Sequence, residues 1–262
     1  MAACRGEEYV VAVIAHLSDI HIDDERSARR TRAVVAYLED LPYDLDLVLV
    51  SGDIADHGAP GEYTVARELL DSRHPVLVCP GNHDDRAAFR AGLLGLEPDV
   101  APVDQVFRGA GFTVLACDSS VPGKPEGWLG DGTVAWLEEE VRRAPEGDAV
   151  LVAFHHPPVA LHVPYVDEIR QFGAERLAEL TGRHPRITAF LAGHAHTAAA
   201  TVFAGRPLLV APGVVNTVRL PWERRTHADH QVHLDQPPGL AFHVLDENHR
   251  LTTHFRPVST GG

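Results

Sequence analysis

Six apolar runs punctuate the first two hundred residues, and each stops at a cluster of polar side chains. The first, EYVVAVIAHL over 8–17, is continuous rather than alternating, the pattern of a central strand buried on both faces. Further runs follow at 46–51, 75–79, 112–117, 149–154 and 186–191. Segments of helical period lie between them. Val34, Val35, Leu38 and Leu41 give one apolar face to a helix over 25–41, and further helices are predicted over 61–70, 85–94, 134–141 and 167–180. Strand alternating with helix is the signature of an α/β fold. After residue 198 the pattern changes to short β-like runs at 199–204, 207–210, 214–218, 239–245 and 251–255. The polar, His-rich stretch 219–238 reads as a long surface loop. No repeat, low-complexity tract or linker divides the chain, so a single domain over 1–262 is expected.

The strand ends carry the chemistry. The first run delivers Asp19 and His21, which an extended backbone places on one face. The second ends in Gly52-Asp53, the third in Pro80-Gly81-Asn82-His83-Asp84-Asp85, the fifth in His155-His156-Pro157-Pro158 and the sixth in Gly193-His194-Ala195-His196. Each has an ordinary alternative: Asp19 capping the next helix, Gly-Asp forming a tight turn, Asn and Asp as turn residues. On strand geometry His155 and His156 point to opposite sides, so at most one of them faces a given site. Parallel strands, however, present their carboxyl ends along one edge, which draws these groups together. Asp19, His21, Asp53, Asn82, His155, His194 and His196 make a set of two carboxylates, a carboxamide and four imidazoles without thiolate. Such a set suits Mn, Fe, Zn, Ni or Co, and seven ligands match two ions sharing a carboxylate.

Composition narrows the rest. The chain has 262 residues, 45% of them hydrophobic, enough for a large core, and no apolar run reaches the roughly 18 residues of a membrane helix. Cys4, Cys79 and Cys117 are odd in number and irregularly spaced, which argues against a disulfide framework; Cys79 and Cys117 read as buried small hydrophobes. The first residues lack the charged and apolar regions of a secretory signal, so a cytoplasmic location is expected, with no membrane partner. A formal charge of −14 opposes a nucleic-acid polymer as partner. The composition leaves a homo-oligomer open. No Gly-x-Ser-x-Gly elbow and no phosphate-cradling Gly-rich loop is present.

Asp19-x-His21, Gly52-Asp53, Gly81-Asn82-His83-Asp84, His155 and Gly193-His194-x-His196, in this order, resemble the calcineurin-like metallophosphoesterase family. Pro80-Gly-Asn-His-Asp-Asp-Arg86 and Phe154-His-His-Pro-Pro-Val159 are similar to its class III cyclic-nucleotide phosphodiesterase and glycerophosphodiesterase branch. The resemblance implies an α/β fold, a four-layer αββα sandwich with two mixed β-sheets. It implies that Asp19, His21 and His196 hold one ion, Asn82, His155 and His194 a second, and that Asp53 bridges them. By the same resemblance His83 binds no metal; it lies beside the substrate phosphate and acts on the leaving group or the developing charge. Asn82 and His83 would thus contact a small phosphoester substrate, and His162 is a further candidate there. The implied reaction is phosphoester hydrolysis with two ions about 3.5–4 Å apart, which acidify a bridging water whose hydroxide attacks phosphorus. Phosphodiesters, cyclic nucleotides or glycerophosphodiesters, lead, with a phosphomonoester as the rival. A non-catalytic scaffold should lack some ligands, and a DNA nuclease of the family should carry basic grooves.

The remaining histidines read more plainly. His16 and His156 are expected as core or supporting groups, and His57, His162, His227, His230 and His233 as loop histidines, with His162 and the 227–233 trio able to border the pocket. Asp56 and Asp118 are either turn formers or carboxylates that orient ligand imidazoles. The prolines at 157, 158 and 164 predict a structured flap over the site, with 219–238 as a second wall.

Overall fold

The computed structural model describes residues 10–224, 226 and 231–260. The first half runs β1 (Val10–Leu17), α1 (Glu25–Glu39), β2 (Leu47–Ser51), α2 (Pro60–Leu69), β3 (Val76–Cys79), α3 (Arg86–Phe89), β4 (Gln105–Gly109), β5 (Phe112–Ala116) and the short β6 (Gly127–Trp128). There follow α4 (Asp131–Arg143), β7 (Ala149–Ala153), α5 (Pro164–Glu168), β8 (Gln171–Phe172), α6 (Glu175–Arg183) and β9 (Ile187–Ala192). The tail gives β10 (Ala199–Phe203), β11 (Arg206–Val210), β12 (Thr217–Val218), β13 (Val232–His233), β14 (Gly239–Asp246) and β15 (Leu251–Pro257).

Two large mixed sheets result, in the orders β15-β14-β1-β2-β3 and β10-β11-β9-β7-β5-β4. In the first, β1, β2 and β3 are parallel; in the second, β5, β7, β9 and β11 are. The sheets face each other across a shared core, where Ile14 and Leu49 of one meet Val114, Leu151 and Leu191 of the other. On the outer face of the first, Ala15, Leu17 and Val50 pack against Val34 and Leu38 of α1 and Tyr63 and Ala66 of α2. On the outer face of the second, Val150, Val152 and Phe190 pack against Leu137 and Val141 of α4 and Leu177 and Leu180 of α6. The layers are therefore αββα, as expected. The continuous apolar runs follow from this arrangement, because each central strand is covered by a helix layer on one face and a sheet on the other.

Differences from the sequence reading have local causes. The helix expected over 167–180 is broken into α5, β8 and α6, because Gly127 N–H bonds the Arg170 carbonyl at 3.2 Å and Gly173 turns at φ +66°, where the helix cannot continue. The segment 85–94 divides into α3 and one π-helical turn, Arg90–Leu94, which ends at Gly95 with φ +62°. Strand β4 gave no apolar run because it is an edge strand, paired only with β5 and half exposed. Within 219–238 the chain is not all loop, since β13 pairs with β12. Residues 8 and 9 of the first run, together with Cys4, His227 and His230, lie outside the described residues. Cys79 and Cys117 are buried free thiols, and among the described residues no helix is long and apolar enough to cross a membrane.

Candidate metal centre

Five of the seven candidate ligands have left-handed backbones: Asp19 at φ 55°, His21 at 42°, Asp53 at 49°, His194 at 67° and His196 at 49°. This conformation costs a non-glycine residue on the order of 1–3 kcal/mol, and the surrounding loops must impose it. They do so by lacing the β1 and β2 exits together: Asp19 N–H donates to the Gly52 carbonyl at 3.1 Å, His21 N–H to Asp53 at 2.9 Å and Ile22 N–H to Ile54 at 2.9 Å. Asp19 therefore does not cap α1. That task falls to Asp24, whose carboxylate accepts from Ser27 N–H at 2.8 Å.

Two glycines let the loops approach. Gly52 has φ +95°, and a Cβ there would run into the His155 ring. A Cβ on Gly81 would overlap the carboxylate and backbone nitrogen of Asp53. The Asn82-His83 turn is fixed by Asp84, whose carboxylate accepts from Gly81 N–H at 2.8 Å, Ala55 N–H at 3.0 Å, Ile54 N–H at 3.1 Å and the Tyr63 hydroxyl at 3.0 Å. Burial, and then Asp53, push the Asp84 carboxyl up to about 6. Asp84 had no role on sequence alone; its place inside the Asn-His motif was the only signal.

At the edge where the two sheets present their strand ends, the groups converge. Asp19, His21, Asp53 and His196 form one cluster whose ligand atoms lie within 4.8 Å of one another; His155, His156 and His194 form another. Asp53 Oδ2 lies between them, 3.4 Å from His21 Nε2 and 3.3 Å from His155 Nε2. Asp19 Oδ1 stands 3.3 Å from His196 Nε2, and Asp19 Oδ2 accepts from His194 N–H at 3.1 Å. His194 Nδ1 is 3.2 Å from His155 Nε2.

The arrangement fits cations. His21 Nδ1–H points at Asp56 Oδ1 (2.8 Å) and His155 Nδ1–H at the Ser51 carbonyl (2.7 Å), so in the neutral rings both Nε2 lone pairs face Asp53. A lone pair facing a buried carboxylate is repulsive unless a positive charge lies between them. Asp19 Oδ1, His194 Nε2 and His196 Nδ1 are in addition buried without a hydrogen-bond partner. The same crowding moves the acidities. Burial raises the Asp53 carboxyl, but His155 and then His21 outweigh it and hold it well below the usual carboxylate range. Burial lowers His155, yet Asp53 and Asp19 bring it up to about 9. For His194, burial and then His156 and His155 leave the ring well below its ordinary value.

His155 and His156 lie beyond the end of β7, where strand alternation no longer holds, and both reach this edge. The expectation that only one could is corrected. His156 Nε2 lies 3.1 Å from both Asn82 Oδ1 and the Pro125 carbonyl, so it carries the proton, and Nδ1 faces the Ser119 hydroxyl at 2.9 Å. Both nitrogens are thus engaged, and the ring fixes the Asn82 carboxamide. His83 N–H donates to Asp53 Oδ1 at 3.0 Å, and its Nδ1–H reaches the Asp56 carbonyl at 2.7 Å. Asp56 orients His21, whereas Asp118 pairs with Arg86 at 2.7 Å. His16 lies in the core, and His162, at φ 61°, is exposed and lines neither cleft beside His83.

Two clefts of about 260 Å³ meet at Asn82 and His83. One runs over Asp53 toward Tyr165, Ile169 and Val232; the other runs past Arg86, Val100 and Ser120. The flap expected around Pro164 and the wall expected from 219–238 both border the first.

Residues 12–198 match the model of the calcineurin-like phosphoesterase family. The chain is 35% identical over 246 residues to glycerophosphodiester phosphodiesterase GpdQ of Enterobacter lignolyticus, covering 88% of this chain and 86% of that one. It is 32% identical over 216 residues to a probable cyclic nucleotide phosphodiesterase of Rhodococcus erythropolis, covering 78% and 71%. Among solved structures, a dimetal phosphatase from Danio rerio superimposes with a TM-score of 0.65 at 16% identity, over 95% of this chain and 100% of that one.

Proposed function

The chain belongs to the calcineurin-like phosphoesterase family, and we propose that within it this protein is a dinuclear metal-dependent phosphodiesterase. The observation that carries the choice of a diester is the pair of clefts. A phosphorus centred over Asp53, beside Asn82 and His83, has room for one ester arm on each side. A monoester would leave one cleft unused. The relatives point the same way, through glycerophosphodiesters in one case and cyclic nucleotides in the other.

In this reading Asp19, His21 and His196 would hold one ion, Asn82, His155 and His194 the other, and Asp53 would serve both. The donors are oxygen and imidazole nitrogen, which suit Mn, Fe, Zn, Ni or Co. When bound, two such ions supply the Lewis acidity that neutralises phosphate oxygens and acidifies water for in-line attack. The protein's own part is orientation and proton transfer. Asp56 and Ser51 fix the two imidazoles that face Asp53. His156 holds the Asn82 carboxamide at the cleft junction. With Nδ1–H tied to the Asp56 carbonyl, His83 in its imidazolium form carries its second proton at Nε2, available to the departing ester oxygen.

The test is hydrolysis by Mn-loaded protein of bis(p-nitrophenyl) phosphate, p-nitrophenyl phosphate and natural diesters. Diester turnover should exceed monoester turnover; the reverse order would make the enzyme a phosphomonoesterase.

A further inference from the structure

Behind Tyr165 and Val218, which it shares with the cleft over Asp53, lies a further cavity of about 350 Å³. That volume is in the range of small-molecule sites. Val163, Pro164 and Pro221 give it apolar lining; Arg219 and Gln231 supply polar groups. We propose that this cavity takes the nucleobase of a nucleoside phosphodiester, an inference that rests on the phosphodiesterase reading above.

The walls offer flat apolar surface. Tyr165 is 56% exposed, so its ring is available to a ligand instead of being spent in the core. Bases stack on such rings whatever their sequence, because every base has a π-face. Arg219 adds a requirement: its Nε is buried without a hydrogen-bond partner. A buried donor left unpaired is costly, and the Arg219 guanidinium that lines the cavity can donate to a ring nitrogen or carbonyl of a base. The guanidinium charge of Arg219, which lines the cavity, opposes a cationic arm such as choline or ethanolamine. An aliphatic alcohol arm offers no flat π-face to Tyr165 and fills less of the volume.

The site is also built before any ligand arrives. Arg219 N–H donates to the Gln231 carbonyl at 2.8 Å, and Val218 pairs with Val232 in the β12–β13 ladder. The buried Arg30 of α1 fastens the far side of this wall, with Nε on the Val214 carbonyl and Nη2 on the Gln236 carbonyl, both at 2.7 Å. Such preorganisation reduces the ordering that binding would otherwise require.

Thymidine 5′-(p-nitrophenyl phosphate) and ethyl p-nitrophenyl phosphate share a leaving group and differ only in the other arm. With Mn-loaded wild type, kcat/KM should be at least about 10-fold higher for the thymidyl ester. Tyr165→Ala and Arg219→Ala should each shrink that ratio by about 10-fold, the scale of one lost stack or one charge-assisted hydrogen bond. Adenosine should compete with the thymidyl ester, choline should not, and both variants should weaken the adenosine inhibition. Equal kcat/KM for the two esters in wild type, or variants that lower both alike, would overturn the nucleobase site while leaving a phosphodiesterase. Turnover of p-nitrophenyl phosphate with neither diester hydrolysed would instead remove the reading beneath it.

Discussion

Asn82 and His83 are neighbours in the chain, yet their surroundings give them different work. The Asn82 carboxamide is held by His156 from within the buried imidazole cluster. The His83 side chain is 41% exposed at the junction of the two clefts, tied through Nδ1 and set edge-on to the His21 ring at 4.6 Å. Asn82→Ala should therefore lose activity together with metal affinity. His83→Ala should keep both ions and slow turnover selectively. If the imidazolium protonates the departing oxygen, the loss should be about 10²–10⁴-fold for a poor leaving group and much smaller for p-nitrophenolate, which leaves without a proton. The check is kcat for wild type and both variants over diesters of graded leaving-group pKa at saturating metal, with metal content measured alongside. Equal losses along the series would leave His83 a positioning or electrostatic group.

At the scale of elements, one polar row crosses the inner face of the first sheet. Ser51 Oγ on β2 meets His16 Nε2 on β1 at 2.7 Å, His16 Nδ1 meets His243 Nε2 on β14 at 3.0 Å, and His243 Nδ1 meets Thr253 Oγ1 on β15 at 2.8 Å. Burial, then His243, hold His16 well below its ordinary value; burial alone takes His243 down to about 3. Both rings are thus neutral in the folded protein over a range where the unfolded chain binds protons. Their depressed basicity leaves stability intact above about pH 6.5 and removes it as pH falls from there; for His243 the loss is about 1.4 kcal/mol per pH unit down toward 3, and His16 adds a loss of the same sign. Urea unfolding at pH 7 and pH 5 should show that loss in wild type and a shallower one in the His16→Leu, His243→Leu double variant. Equal losses in the two proteins would mean that the row does not set acid stability. Such a row could not be read from the sequence, because its members are 16, 51, 243 and 253 and only the strand order brings them together. The candidate ligands were legible for the opposite reason: each stands within four residues of a strand end, as Asp19 does after Leu17 and His194 after Ala192. Asp84 was not, since its task is set by partners such as Ala55 and Tyr63 that no local pattern marks, and for His156 the supporting place was legible but its partners Ser119 and Asn82 were not. The break at Gly173 was hidden likewise, by a pairing with Gly127 and Trp128 more than forty residues upstream.

For the whole molecule, the layers and the charge set the terms. The αββα stack brings the carboxyl ends of β1, β2, β3, β7 and β9 to one edge, so residues from 19 to 196 meet there. An acidic protein of net charge −14 that acts on an anionic phosphodiester needs local positive charge, and bound ions would provide it where Asp19 and Asp53 lie buried. The strained backbones at Asp19, His21, Asp53, His194 and His196 are then the cost of aiming these groups at one place. Asp53, as the carboxylate common to two ions, is the residue on which the dinuclear centre depends. Metal content by elemental analysis after Mn loading and exhaustive dialysis tests it directly. Wild type should retain two equivalents per chain, His21→Ala should mainly weaken one, and Asp53→Ala should lose both; an Asp53→Ala protein that keeps two equivalents would contradict the bridged pair.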